Sequence, residues 1–252
     1  MSQAARRETA LAQAVLVTFL WSSSWVLIKV GLRDEGLDPL SFAGLRYALA
    51  AAILLPLAWP GLRRARPDRP ALARVLVLGV LFYGVTQGAQ FGALGLLPAA
   101  AVSLVLTATP AIVLLLGTFF GQDRPTALQV AGIVALVVGA ALYFGPLDLG
   151  PAAAVGLAIA VVGTLANALS SVLGRSLALE ATARLGGVLP LTALSMGLGA
   201  LLLLGAGAAT AGVPQLTERA WLIVGWLAVA NTAFAFTLWN HTLRTLTAVE
   251  SS

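Results

Sequence analysis

The chain alternates between apolar runs of about 20 residues and short gaps that hold most of its arginine residues. An α-helix needs a run of this length to cross a bilayer, because it rises about 1.5 Å per residue and the hydrocarbon core is about 30 Å thick. Segments of alternating hydrophobicity, which a transmembrane β-barrel requires, are not visible. The pattern predicts an all-α polytopic membrane protein with eight spans, at residues 11–31, 40–59, 71–94, 98–120, 126–145, 151–173, 186–208 and 219–243.

Composition supports a membrane environment. Apolar residues make up 59% of the 252 residues and charged residues 10%, which leaves too little polar surface to cover a water-soluble domain of this size. The gaps between the predicted spans are too short to hold a soluble domain. The chain has no cysteine, so it contains neither a disulfide framework nor a thiolate site.

The arginine residues are divided unevenly between the two sides of the predicted bundle. With a cytoplasmic N-terminus, eleven arginines lie in cytoplasmic segments and only Arg33 and Arg219 lie in outside segments. Basic loops resist translocation, so the imbalance predicts that the N-terminus is cytoplasmic. The net charge of +5 therefore reflects topology. A nucleic-acid partner is not expected, because the arginine cluster at residues 63–74 has neither a folded basic surface nor stacking aromatic residues.

An internal repeat relates the two halves of the chain. Near the end of the first span, four residues ending in a cation fall opposite four others 146 positions later: Trp21, Ser24, Trp25 and Lys29 against Asn167, Ser170, Ser171 and Arg175. Residues 82–94 fall opposite residues 231–243 at a shift of 149. Two nearly equal shifts indicate one ancestral unit. We predict a first repeat at residues 1–146, with spans one to five, and a second repeat at residues 147–252, with spans six to eight.

The first unit holds an odd number of spans, so its copy is expected to lie in the membrane upside down. Inverted repeats of this kind are typical of secondary transporters, which bind their substrate near the midplane between the two halves.

Several short motifs follow one another in a specific order. They are residues 21–25 with Lys29, Leu45-Arg46-Tyr47, residues 93–100 with Pro110, and residues 121–125. This order, with the inverted repeat, resembles the EamA branch of the drug/metabolite transporter superfamily over the whole chain, and within that branch the aromatic amino-acid exporters. The resemblance implies a ten-helix fold, a cavity formed largely by the third, fourth, eighth and ninth helices, and alternating access. It also implies export of amino acids or similar small metabolites across the bacterial inner (plasma) membrane.

The chain departs from the family pattern at two places. The family's Gly-Glu-Arg is here Gly121-Gln122-Asp123-Arg124, so no role can be carried over from that Glu. Residues 247–252 fall opposite residues 98–103, so the second repeat has no counterparts of the fourth and fifth spans. We therefore expect the native form to carry two more helices.

Polar residues within the predicted spans are the main candidates for a substrate site, since polar groups are costly in hydrocarbon and often mark a transport pathway. Tyr83, Gln87 and Gln90 have the i, i+4, i+7 spacing of one helical face. The repeat maps them onto Thr232, Phe236 and Trp239, which pairs a polar face with an aromatic one. Alternatively, the glutamines only hydrogen-bond to neighbouring helices. The predicted substrate-binding residues are Tyr83, Gln87, Gln90, Thr107, Phe236, Trp239, Trp21 and Asn231, and Pro110 is the predicted gating residue.

For three residues within the predicted spans, the sequence is compatible with two structural roles. Trp21 faces the bundle, or it belongs to an interfacial belt or to core packing. Arg46 faces a cavity and meets a carboxylate, or it pairs with a carbonyl or a helix C-terminus. Pro110 frees a carbonyl one turn back, which suits either a gating kink or a packing adjustment.

Several classes of membrane protein are disfavoured because the residues that they require are absent from the predicted spans. The predicted spans contain no Asp or Glu for a carboxylate relay, and the chain has no phosphate-binding loop for an ATP-driven pump. With one His and no Cys, an intramembrane enzyme or a metal site is disfavoured. The inverted repeat and the absence of a charged or carbonyl filter favour a carrier over a passive channel. The sequence thus predicts a monomeric transporter without catalytic residues, metal or cofactor, whose partners are a small-molecule substrate and the lipid bilayer. Export of drug-like organic cations is the main alternative.

Overall fold

The computed structural model describes residues 3–119, 126–144 and 151–242, and side chains at residues 8–116, 126–143, 151–172 and 184–238. Eight helices and no β-strand are found in these ranges. Five of the helices are continuous: α1 (Gln3–Arg33), α2 (Pro39–Arg64), α5 (Ala127–Phe144), α6 (Pro151–Leu185) and α7 (Val188–Ala211).

The other three helices change geometry along their length. Helix α3 runs from Arg69–Leu78 through a π-helical segment at Gly79–Thr86 to Gln87–Leu96. Helix α8 likewise runs from Glu218–Ala228 through a π-helical segment at Val229–Phe234 to Ala235–Thr242. Helix α4 consists of Ala99–Leu106 and Thr109–Phe119.

These helices confirm the predicted fold class. Seven of the described helices are long and apolar enough to cross a membrane, and α5 offers a shorter apolar stretch at Ala127–Tyr143. Large apolar side chains cover their outer faces, with Leu128 84% exposed and Leu201 69% exposed. Such a surface suits hydrocarbon and would be unusual in water. The chain is therefore a multi-pass membrane protein.

Helices α2, α3 and α8 begin at residues whose side chains cap the helix. The Asp38 carboxylate accepts a hydrogen bond from the Ser41 backbone N–H at 2.8 Å, and the Asp68 carboxylate accepts one from Ala71 at 2.9 Å. At the start of α8, Thr217 Oγ1 accepts from the Ala220 N–H at 3.0 Å. These bonds satisfy N–H groups that a helix leaves unpaired in its first turn.

The centre of the bundle is the pair of helices α2 and α7, which pack along their length. Small residues allow the two backbones to approach. A Cβ atom added to Gly44 would lie 2.8 Å from the Leu204 backbone nitrogen, and one added to Gly207 would lie 2.7 Å from the Ser41 nitrogen. Glycine at these positions is what permits the close contact, as is common between membrane helices.

The helices with π-helical segments pack around this central pair in a crossed arrangement. Helix α3 packs on α6 and α7, and α8 packs on α1 and α2. The faces of α1, α2, α3, α6 and α8 that remain inside the bundle surround a central space.

Candidate functional site

A cavity of about 360 Å³ lies in this central space. This volume is within the range of about 300–1,000 Å³ that is usual for small-molecule sites. Its lining combines aromatic rings with amides and one guanidinium: Trp21, Ser24, Trp25, Ile28, Arg46, Tyr47, Phe82, Gln87, Gln90, Phe91, Leu94, Asn167 and Phe236. Four of the predicted binding residues are among them, namely Trp21, Gln87, Gln90 and Phe236.

Helix α3 supplies the largest share of this lining, and its π-helical segment decides which residues take part. Downstream of that segment, Gln87, Gln90 and Leu94 line the cavity with the expected α-helical spacing. Upstream, Phe82 lines it and Tyr83 does not. The reason is that a π-helix bonds residue i to i+5, so the face that continues from Gln87 leads back to Phe82.

Tyr83 instead lies behind the wall of the cavity, which corrects the expectation that it shares a cavity-facing surface with the two glutamines. It is 5% exposed, and its ring centroid is 4.9 Å from that of Phe82, 5.7 Å from that of Tyr47 and 6.2 Å from that of Phe236. Tyr83 therefore supports the aromatic residues of the lining from behind.

The two glutamines of α3 differ in their bonding. Gln87 Oε1 accepts a hydrogen bond from the Tyr47 hydroxyl at 2.6 Å, which fixes the amide against α2. Gln90 has no hydrogen-bond partner among the residues that the structure describes. Its amide is therefore the more available of the two for a molecule in the cavity, both as a donor and as an acceptor.

Aromatic rings form another part of the wall. The ring centroids of Trp21 and Phe236 are 5.5 Å apart, with their planes at 55°. This separation is within the range of favourable aromatic pairs. Trp21 thus faces the bundle, as one of its two interpretations predicted, and it meets the predicted Phe236 from the opposite half of the chain.

Arg46 is the charged member of the lining. It is 4% exposed, and its Nε donates a hydrogen bond to Thr232 Oγ1 at 2.8 Å. The guanidinium carbon is 5.2 Å from the centre of the Tyr47 ring and 5.9 Å from that of Phe91. The only sequence signal for this residue was an arginine placed two turns inside an apolar span.

Asn231 lies next to the cavity but does not line it. It is fully buried, and its Nδ2 donates to the Leu20 carbonyl and, at 3.3 Å, to Ser23 Oγ. These bonds join α8 to α1 where α1 begins to face the cavity. The Trp239 side chain falls outside the part of the chain whose side chains are described, so its predicted role stays a prediction.

Thr107 and Pro110 lie away from the central cavity. Both line a second cavity of about 700 Å³ between α4, α5 and α6. Helix α4 is interrupted at Thr107 and Ala108, directly before the segment Thr109–Phe119. Because Pro110 has no N–H to donate, the break falls at the turn that its ring disfavours.

Ion pairs connect the loops at both ends of the bundle. At one end, Arg219 lies 3.4 Å from Glu35 and 3.8 Å from Asp34, which joins the start of α8 to the α1–α2 connection. At the other end, Arg184 lies 3.8 Å from Asp68 and joins the end of α6 to the α2–α3 connection. The arginines are 62% exposed, so each pair contributes at most about 1 kcal/mol to stability.

Besides Arg46, six aromatic or small polar residues of the lining were not selected from the sequence, namely Trp25, Ser24, Tyr47, Phe82, Phe91 and Asn167. Aromatic and small polar residues occur in many spans, and only the meeting of five helices shows which of them face inward.

Known proteins resemble this chain. A relative from Archaeoglobus fulgidus, named an uncharacterized transporter, is 31% identical over 166 residues, which cover 65% of this chain and 56% of the relative. An Escherichia coli protein named a probable amino-acid metabolite efflux pump is 36% identical over 132 residues, covering 50% of this chain and 40% of its own length. A Streptantibioticus cattleyicolor protein named a probable terminal-alkyne amino-acid exporter is 33% identical over 130 residues, covering 51% and 42%.

The chain thus spans about half the length of the curated relatives it matches. No solved structure matches it. The model of the EamA-like transporter family matches residues 9–145, which is more than half of the chain. On this match, the chain belongs to the EamA-like transporter family.

Proposed function

We propose that this protein exports amino acids with aromatic or other large apolar side chains, or similar small metabolites, from the bacterial cytoplasm. The observation that carries the proposal is the mixed lining of the central cavity. Amide and guanidinium groups of Gln90 and Arg46 occur there with the rings of Trp21 and Phe236. An amino acid of this class has a charged end and an apolar end, so it needs both kinds of surface. The names of the Escherichia coli and Streptantibioticus cattleyicolor relatives support the same substrate class.

We further propose that transport proceeds by alternating access between two inverted repeats, at residues 1–146 and 147–252. The π-helical segments support this relation. Thr86 Oγ1 donates to the Leu81 carbonyl at 2.9 Å, and Thr232 Oγ1 donates to the Leu227 carbonyl at 2.8 Å. Each bond reaches back five residues, and the two bonds lie 146 positions apart. The helix packing also supports two related repeats. Helix α3 of the first repeat packs on α6 and α7 of the second, and helix α8 of the second packs on α1 and α2 of the first.

The proposed exporter is a monomer in the inner membrane with a cytoplasmic N-terminus. The distribution of arginine residues supports this orientation. Weak or absent ion coupling is in keeping with the described parts of the central cavity, whose lining includes no carboxylate. The transporter family also argues against an enzyme.

Efflux from proteoliposomes tests the proposal. Vesicles that contain the purified protein are loaded with labelled phenylalanine, leucine, serine or an organic cation, and efflux is followed with and without unlabelled substrate outside. We expect saturable efflux of phenylalanine and leucine that is accelerated by substrate on the opposite side. Saturable efflux of the organic cation alone would favour the drug-like alternative. Flux that neither saturates nor shows trans-stimulation would indicate a channel.

A further inference from the structure

We propose that Arg46 is the residue that recognises the substrate, by binding a carboxylate group in the central cavity. This inference rests on the proposed function and adds to it the class of ligand: a small carboxylate that also carries a large apolar group. Three observations support it, namely the burial of the charge, the geometry of its present contacts, and the composition of the surrounding wall.

A guanidinium deep inside a membrane protein is costly unless an anion or several hydrogen-bond acceptors compensate it. In the described ranges, Arg46 has one hydrogen-bond acceptor, Thr232 Oγ1, and no ion pair. The acidic residues whose side chains the structure describes lie near helix ends or in loops: Glu8, Asp34, Glu35, Asp38, Asp68 and Glu218. The side chains that the structure describes therefore supply no compensating negative charge at the cavity, and a ligand carboxylate would supply it.

The contacts of Arg46 leave the right donors free. A guanidinium has five N–H donors in a planar fork, and the bond to Thr232 uses only the one on Nε. The fork is held by the ring faces of Tyr47 and Phe91, which attract the cation without using its N–H groups. Among the described residues, the N–H groups of the two terminal nitrogens therefore have no partner, and they match the two oxygens of a carboxylate.

The rest of the wall indicates what else the ligand carries. Trp21 and Phe236 present adjacent rings to the cavity, and Gln90 presents an amide that has no partner in the described residues. A phosphate or sulfate ester would not need such rings. A bare organic cation would be repelled by Arg46. The cavity thus fits a carboxylate with an aromatic or branched apolar group.

Matched ligands test the inference on the unaltered protein. Binding of phenylalanine, phenylalaninamide, 3-phenylpropionate and 3-phenylpropionamide is measured by calorimetry on the purified full chain in detergent. Each acid and its amide have nearly the same shape and differ in the carboxylate. We expect each acid to bind at least about tenfold more tightly than its amide, since hydrogen bonds between charged groups are about twice as strong as neutral ones. Equal affinity within both pairs would overturn the inference.

The same series separates the inference from the proposed function. If 3-phenylpropionate binds more tightly than its amide while phenylalanine does not bind, the role of Arg46 stands and the amino-acid function fails. If phenylalanine and its amide bind equally, and 3-phenylpropionate and its amide do too, the function stands and the role of Arg46 fails. If none of the four compounds binds, both are overturned.

Two variants assign the effect to Arg46. Arg46→Gln is expected to remove the difference between acid and amide, and Arg46→Lys, which keeps the charge but not the fork, is expected to retain part of it. Arg69→Gln, at an exposed position at the start of α3, is the matched control and should keep the full difference. An Arg46→Gln protein that still prefers the acids tenfold would overturn the inference. Should this variant fail to fold, Arg46→Lys and the unaltered protein decide the outcome.

Discussion

Phe236 and Phe234 are two positions apart in α8 and face different surroundings. Phe236 lines the central cavity, whereas Phe234 is 50% exposed on the outer surface. We expect Phe236→Ala to raise the apparent KM for phenylalanine and leucine roughly tenfold, which corresponds to about 1.4 kcal/mol. The reason is that the apolar end of the substrate loses an aromatic contact. The KM for small polar amino acids should change much less.

Phe234→Ala provides the control, because it removes the same ring from the same helix on the lipid side. Its transport kinetics in proteoliposomes should match those of the unaltered protein. A Phe236→Ala protein that loses affinity equally for large and small amino acids would contradict the proposed contact and indicate altered folding or gating.

Gln90 tests the polar part of the cavity. Gln90→Ala should reduce the apparent affinity for transported amino acids by roughly three- to tenfold, the loss expected from one hydrogen bond of about 0.5–1.5 kcal/mol. Since this amide has no partner in the described residues, its removal should leave the unfolding temperature nearly unchanged. Gln215→Ala, in the exposed loop before α8, is the control and should have no effect on uptake. Unaltered kinetics in Gln90→Ala would show that this amide does not contact substrate.

The sequence predicted some of the residues that line the central cavity, and the geometry of α3 explains why it did not predict the position of Tyr83. Gln87, Gln90, Trp21 and Phe236 were predicted and line the cavity, because polar groups and an inward tryptophan are unusual inside apolar spans. Tyr83 was predicted to share their face and does not. Periodicity arguments assume i, i+4 spacing throughout a helix, and the π-helical segment of α3 interrupts that spacing without an obvious sequence signal.

At the scale of helices, close packing between α3 and α7 depends on small residues. A Cβ atom on Gly199 would lie 2.8 Å from the Gly79 carbonyl oxygen and 3.0 Å from the Gly84 nitrogen, inside the π-helical segment. We expect Gly199→Ala to destabilise the protein by about 1–3 kcal/mol, because the two backbones must separate. Thermal unfolding in detergent measures this change.

Gly205→Ala is the matched control in the same helix. A Cβ at Gly205 meets nothing within 4 Å, so alanine there should leave stability unchanged or raise it slightly. Equal unfolding temperatures for the two variants would contradict the close approach of α3 and α7.

Most of the helices were predictable to within a few residues, since each apolar run ends at proline, glycine or charge. Helix α6 is the exception, because it continues past its predicted span of 151–173 to Leu185. The prediction placed the third span at residues 71–94, and the corresponding helix runs from Arg69 to Leu96. For α4, the sequence predicted a kink at Pro110 but not the break at Thr107 and Ala108. A helix can accommodate the missing N–H and the ring of a proline by several local geometries, and the sequence does not show which one is adopted. Which helices touch depends on side-chain fit between distant segments, and a single sequence does not display this fit.

At the scale of the whole molecule, orientation in the membrane can be tested directly because the chain has no cysteine. Val213, 86% exposed between α7 and α8, and Arg66, exposed between α2 and α3, lie at opposite ends of the bundle. A cytoplasmic N-terminus places Val213 outside and Arg66 inside. Val213→Cys should therefore react with a membrane-impermeant maleimide in intact cells, and Arg66→Cys should react only after permeabilisation. The reverse pattern would contradict the proposed orientation.

The π-helical segment of α3 also determines what the loss of one codon would do to the cavity. A π-helical turn corresponds to one extra residue inserted in an α-helix, and each residue of an α-helix turns the chain by about 100°. Deleting one codon between Val80 and Val85 would leave an uninterrupted apolar helix long enough to cross the bilayer. Where the deleted residue follows Phe82, Phe82 and Gln87 would come to lie four positions apart and would stay on one face of the α-helix. Relatives that lack one codon at this position would share a fold and keep Phe82 on the same face as Gln87 and Gln90.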